Sequence, residues 1–304
     1  MRIPYYIVDV FAENKYGGNQ LAVFIDLENQ LTDAQMQAMT REINFAESSF
    51  IKKQTGNNKF VVRIFTPEHE VPFAGHPSIG SAYVISQFIL KDALPKLILE
   101  LKHADIAISI SNPKNLNDCI ISMQQAQPEF REFFSHEEIA KELKIPLRDI
   151  DANFPIQEIS TGLPYIIVPL KSRKAIENLK FTYTDLQKFL VKRLKYKTNS
   201  ATGHSTSFFF FTSETYNKKN QFNVRMRLLE NDILSEDAAT GSANGCFLAY
   251  LLKHQSEKIA ATIEQGFQMG RKSFLYLKGS VSENKYDINV CGKTQLMSEG
   301  FWYV

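Results

Sequence analysis

Two stretches of this chain are apolar on every side at helical length, and they constrain the fold more than any other feature. From Ser78 the sequence runs SIGSAYVISQFIL with no charge before Lys91, and from Gly245 it runs GCFLAYLLKH. A helix without a polar face must be covered all round. Each therefore predicts a central helix enclosed by other elements. The lead-ins are alike. An acidic residue (Glu70; Asp237) precedes a glycine followed by a small polar side chain (Gly75-His76; Gly241-Ser242), and a second glycine follows (Gly80; Gly245). Two such blocks about 166 residues apart suggest an internal duplication.

The rest of the chain supplies strands to surround these helices. IPYYIVDVF, LAVFI, AESSFIKK (with Glu47 in it), KFVVRIFT, LILEL, DIAISI and CIISM read as strands of the first half. PYIIVPL, SFFFFT, FNVRMRLL, SFLYL, DINVC and FWYV read as strands of the second. Gly56-Asn57-Asn58 predicts a hairpin turn. Thr32-x-x-Gln35, Ser135-x-x-Glu138 and Thr184-x-x-Gln187 predict capping boxes of amphipathic helices, the first ending near Asn44. Residues 111–130 are the most loop-like stretch and the expected boundary. The 304 residues, with 44% apolar content and 23 phenylalanines, suffice for one large or two medium domains.

Composition narrows the function. A net charge of +2 argues against a general nucleic-acid binder. No apolar run reaches the roughly 18–20 residues of a membrane span, and MRIPYYIVDVF lacks the apolar region of a secretory signal. A cytoplasmic protein is expected. Cys119, Cys246 and Cys291 are widely spaced, without metal-ligand spacing, and read as reduced core thiols.

Chemistry is expected at the two glycine-led helix starts. Their unpaired N–H groups and positive dipole ends suit a carboxylate or phosphate, and glycine lets a ligand approach closely. Two similar halves would face one another across a cleft. Neither start matches GxxxxGK[ST] or GxGxxG, so a nucleotide is disfavoured. His76, before Pro77, is expected as the last non-helical residue, its ring aimed into the cleft. His69, in the charged loop, reads as solvated. Glu47, between apolar neighbours, is expected to have a raised pKa suited to proton exchange. No GxSxG elbow frames Ser242.

Taken together, DVFAENKYGGNQLAVF, NFAESSF, RIFTPEHEVPFAGHPSIGSA, EDAATGSANG and QGFQMGRKS resemble the phenazine-biosynthesis PhzF-like isomerase family. The blocks occur in family order over nearly the whole chain. The resemblance implies the diaminopimelate-epimerase-like α+β fold: two similar domains, each a curved, mostly antiparallel sheet wrapped around a central buried helix. The expected domains are 1–127 plus 288–304, by return of the C-terminal strand, and 128–287. It also implies a homodimer and an isomerase working without cofactor or metal.

Carried over by position, Glu47 would be the proton-shuttling base and acid. His76 and Asp237 would line the site, and Gly75, Gly241 and Ser242 would hold the carboxylate of a small substrate. Epimerases of this fold place a cysteine at each helix start, where this chain has Ala74 and Thr240, so two-thiol chemistry is not expected. Gln20 and Ala238 stand where the family favours proline, and ESSF replaces the more usual E-T-hydrophobic-F. The alternatives to a proton-shifting isomerase are a non-enzymatic ligand-binding or interaction protein on the same scaffold, and a hydrolase or lyase using His76 with Asp237.

Overall fold

The computed structural model describes residues 1–90, 94–102, 104–115, 118–199, 203–230 and 232–304. The chain divides into two units, Met1–Gln124 with Cys291–Val304, and Gln125–Val290.

In the first unit, β1 (Arg2–Val10) pairs antiparallel with β2 (Asn19–Ile25). Helix α1 (Asp33–Ile43) leads to β3 (Ser48–Gly56), parallel to β2. A hairpin joins β3 to β4 (Lys59–Phe65), which also pairs antiparallel with β5 (Glu70–Val71). Helix α2 (Gly75–Val84) then crosses to β6 (Lys96–Glu100), parallel to β4. β7 (Asp105–Ser111) and β8 (Ile120–Gln124) follow antiparallel.

In the second unit, β9 (Glu129–Phe134) leads through α3 (His136–Glu142) to β10 (Ile156–Ser160), which pairs antiparallel with β9 and with β11 (Pro164–Pro169). Helices α4 (Arg173–Glu177) and α5 (Tyr183–Lys192) lead to β12 (Ser207–Thr212), parallel to β11. β13 (Phe222–Glu230) pairs antiparallel with β12 and with β14 (Ile233–Asp237). Helix α6 (Gly241–His254) crosses to β15 (Lys258–Gln265), parallel to β13, and β16 (Ser273–Ser282) pairs antiparallel with β15. β17 (Lys285–Gly292) follows. β18 (Thr294–Tyr303) belongs to the first unit, where it pairs antiparallel with β1.

The same sequence of moves occurs twice. A parallel pair bridged by helix (β2–β3; β11–β12) is followed by a hairpin, a short antiparallel strand, a central helix and a second parallel pair (β4–β6; β13–β15). The duplication suggested by the two glycine-led blocks is thus visible in strand order. Its register differs by one from the sequence expectation. Phe65 faces Glu70 and Ile64 faces Val71, whereas Arg227 faces Glu236 and Met226 faces Asp237. Glu70 therefore corresponds to Glu236, and Asp237 corresponds to Val71. Each of the two glutamates is held by an arginine of the neighbouring strand, Arg63 and Arg225 respectively.

The all-apolar helices lie where their composition requires. All ten residues of α2 are buried, and it touches β1, β2, β3, β6, β7, β8 and β18. Gly241 through Leu252 of α6 are buried, and it touches β10, β11, β15 and β16. The phenylalanine run of β12 shows why a strand can be apolar on both faces. Phe208 and Phe210 pack beneath α5 and its lead-in, against Phe189 and Phe181, while Phe209 and Phe211 stand 5.2 and 4.7 Å from Phe247 of α6. Each fully buried ring contributes about 2–3 kcal/mol, and alternation sends successive rings to opposite faces. In the first unit Phe24 stacks on Phe50 at 4.9 Å, with Trp302 of β18 edge-on at 5.6 Å.

Several local expectations are corrected. Glu47 precedes β3 instead of lying in it, because ladder pairing begins only at Ser48 opposite Ala22. α2 begins at Gly75, so His76 is helical. Pro77 in the first turn lacks only an N–H that no helical carbonyl would have accepted. The capping box of α5 is Thr182 with Asp185, two residues earlier than expected. The Thr32–Gln35 box and the left-handed Asn44 that ends α1 are as expected, and Ser135 caps α3 by accepting from the Glu138 N–H. All three cysteines are buried thiols outside disulfides.

Candidate active site

The start of α2 brings two predicted residues together. Ala74 is its N-cap and offers no side-chain hydrogen bond, so the first turn is not capped from within. His76, the second helical residue, is 5% exposed. Its Nδ1 lies 3.3 Å from Nδ2 of Asn19, at the start of β2. Its Nε2 is buried without a hydrogen-bond partner among the described residues and stands 3.6 Å from Oε2 of Glu47. Burial pushes the His76 pKa down to about 3, against a smaller upward pull from a hydrogen bond with the Gln20 backbone. The ring is therefore neutral at pH 7, and the Glu47–His76 approach is not an ion pair although its distance would allow one. Glu47 is half-buried, its side chain 20% exposed.

The start of α6 is built differently. Its N-cap, Thr240, again makes no side-chain cap. The Thr240 hydroxyl instead donates to Oδ2 of Asp237, the last residue of β14, at 2.6 Å. Ser242, the second helical residue and the counterpart of His76, shares a 2.7 Å hydrogen bond with the Tyr165 hydroxyl of β11. Gln265, ending β15, braces the turn between β14 and α6. Gly266 (φ +75°) passes this turn so closely that a Cβ would stand 2.5 Å from the Ala238 carbonyl.

Of the six residues singled out in sequence, Gly75, His76 and Glu47 gather in the first unit, and Asp237, Gly241 and Ser242 in the second. The second glycine of each block serves packing. A Cβ on Gly80 would meet Leu21 Cδ2 at 2.5 Å, and one on Gly245 would meet Gln125 at 2.9 Å. His69 is exposed, as expected, and Glu70 is held by Arg63, which lowers its pKa. Burial pushes the Cys246 thiol up to about 11, and neither N-cap is a cysteine. Thr240 was expected at a helix start, whereas Asn19, Tyr165 and Gln265 carry no sequence pattern that assigns them to one. Asn19, Thr240 and Gln265 do fall within the family-like blocks DVFAENKYGGNQLAVF, EDAATGSANG and QGFQMGRKS.

Comparison with known proteins agrees with the geometry. Residues 8–300 match the model of the family described as phenazine biosynthesis-like protein. The chain is 30% identical over 304 residues to trans-2,3-dihydro-3-hydroxyanthranilate isomerase of Pseudomonas aeruginosa, covering 99% of each chain. The crystal structure of a phenazine biosynthesis protein of the PhzF family from Bacillus anthracis superposes with a TM-score of 0.85 at 24% identity, covering 100% of both chains. A hydroxyproline epimerase from Agrobacterium vitis shares the fold at a TM-score of 0.59 and 10% identity, covering 99% of this chain and 92% of its own. By the match along residues 8–300 and the full-length likeness to a named isomerase, this chain belongs to the phenazine biosynthesis-like protein family and is an isomerase.

Proposed function

We propose that the chain moves a proton between two carbons of a small, conjugated carboxylate-bearing substrate, with Glu47 as the group that takes the proton and returns it. The glycine-led start of α6, with Ser242, receives the substrate carboxylate. His76 and Asp237 orient the substrate for the proton transfer. The reaction balances by itself: Glu47 removes a proton from one carbon, the electron pair shifts along the conjugated system, and the same proton equivalent is added at another carbon.

The observation that carries this reading is the placement of Glu47 3.6 Å from a buried, neutral His76 at an uncapped helix start. A carboxyl group beside a neutral imidazole suits reversible proton transfer better than a serine nucleophile would. A second copy of the chain is the expected partner, and no cofactor is needed for such a shift.

The first substrate to test is the one that names the Pseudomonas aeruginosa relative, trans-2,3-dihydro-3-hydroxyanthranilate. Glu47→Gln keeps the shape of the side chain and removes its proton exchange. It is expected to lower turnover by at least about 1,000-fold while binding persists. Turnover by Glu47→Gln at the wild-type rate would overturn the assignment.

A further inference from the structure

We propose that Gln265 is a positioning residue that fixes, through the Thr240 hydroxyl, the direction of the hydrogen bond delivered to Asp237. This rests on the reading of Asp237 as a substrate-orienting group. Gln265 is fully buried at the end of β15. The Thr240 N–H lies 3.3 Å from its Oε1, and the Asp237 carbonyl 3.0 Å from its Nε2. A backbone N–H can only donate and a carbonyl can only accept, so these two contacts settle which way the amide faces. The Asn244 side-chain amide, itself donating to the Thr240 carbonyl at 2.9 Å, gives Oε1 a second donor at 2.9 Å. Turning the Gln265 amide over would set donor against donor and oxygen against oxygen inside a buried pocket.

With the amide so fixed, Nε2 donates to Thr240 Oγ1 at 3.0 Å. The threonine oxygen accepts there, and its single proton is left for Asp237 Oδ2 at 2.6 Å. The relay therefore runs one way, from Gln265 to Thr240 to Asp237, and it ends on a carboxylate oxygen as acceptor. The fold alone does not require it. In the duplicated first unit the same turn into α2 is made with Val71 and Ala74 at the positions of Asp237 and Thr240.

The test follows the carboxyl 13C resonance of Asp237 at pH 7 in the full-length chain labelled at aspartate carboxyl carbons. The resonance is assigned by its loss in Asp237→Asn. Thr240→Val, which removes the hydroxyl, is expected to shift it, and Thr240→Ser, which keeps the hydroxyl, to restore it. In Gln265→Glu an acceptor replaces Nε2 and draws the Thr240 proton away from Asp237. That variant is expected to shift the resonance as Thr240→Val does, and to have little further effect when Thr240 is already valine.

An unshifted resonance in Gln265→Glu, or equal shifts with and without the Thr240 hydroxyl, would overturn the relay. If Gln265→Glu does not fold, an unshifted resonance in Thr240→Val overturns it. Full turnover by Asp237→Asn would instead overturn the role of Asp237 in substrate orientation, a separate result read from a separate assay.

Discussion

Nε2 of His76 and Oε2 of Glu47 stand 3.6 Å apart, both within the first unit, with the imidazole held neutral by its burial. The pair joins a carboxyl group with partial access to solvent to a ring that cannot neutralise it.

The buried histidine makes stability depend on pH. Its pKa is about 3 in the folded chain against an ordinary 6.5, so between these values the unfolded chain takes up a proton that the folded chain refuses. The His76 contribution is complete above pH 6.5 and is lost as pH falls towards 3, by up to about 1.4 kcal/mol per pH unit. Urea denaturation at pH 6.5 and 4.5 should show wild type losing about 2–3 kcal/mol more than His76→Gln over that interval. Equal losses would show that His76 titrates normally.

Gly80→Ala should destabilise the first unit although alanine is the better helix former. The added Cβ would stand 2.5 Å from Leu21 Cδ2 and 2.9 Å from Val10 Cγ2, both side chains buried. Overpacking costs about 1–3 kcal/mol, more than the roughly 1 kcal/mol gained in helix propensity. Gly245→Ala meets Gln125 at Cγ and Oε1, both at 2.9 Å against the 2.5 Å approach at Gly80, and should cost less. The two melting temperatures decide the order.

A buried ion pair pins the loop between β2 and α1. Lys52 and Asp26 are 4% and 3% exposed and joined by a hydrogen bond. Asp26 also accepts from the backbone N–H groups of Gln30 and Leu31 at 2.8 and 3.0 Å, and Lys52 donates to the Leu31 carbonyl at 3.2 Å. Asp26→Ala strands the ammonium and two N–H groups, and should cost about 3–5 kcal/mol in equilibrium denaturation. Lys52→Met/Asp26→Asn, which removes both charges, should recover part of that loss.

The parts legible in sequence were those written in consecutive residues. The apolar circumference of the α2 and α6 segments fixed two central helices, and their glycine-led starts revealed the duplication. Long-range register was not legible. The acidic residues before each helix look equivalent in sequence, yet strand pairing matches Glu70 with Glu236 and sets Asp237 apart. Glu47 looked like a strand residue because its neighbours are apolar, but the ladder opens one residue later. At TYTD both Thr182 and Thr184 can begin a helix, and an aspartate at the third position served as well as a glutamine. The bracing of α6 by Gln265 ties one side chain to the backbone N–H and hydroxyl of a residue 25 positions earlier, which no local pattern encodes.

The central claim is that Glu47 carries the proton between substrate carbons, and product formation followed in D2O with and without Glu47 tests it most directly. With trans-2,3-dihydro-3-hydroxyanthranilate in D2O, wild type should form isomerised product whose newly protonated carbon carries the hydrogen moved from the first carbon, or deuterium where the partly exposed Glu47 carboxyl exchanges with solvent before returning it. Glu47→Gln, folded by circular dichroism, should form no such product above the uncatalysed rate. Isomerised product formed by Glu47→Gln at the wild-type rate would contradict the account.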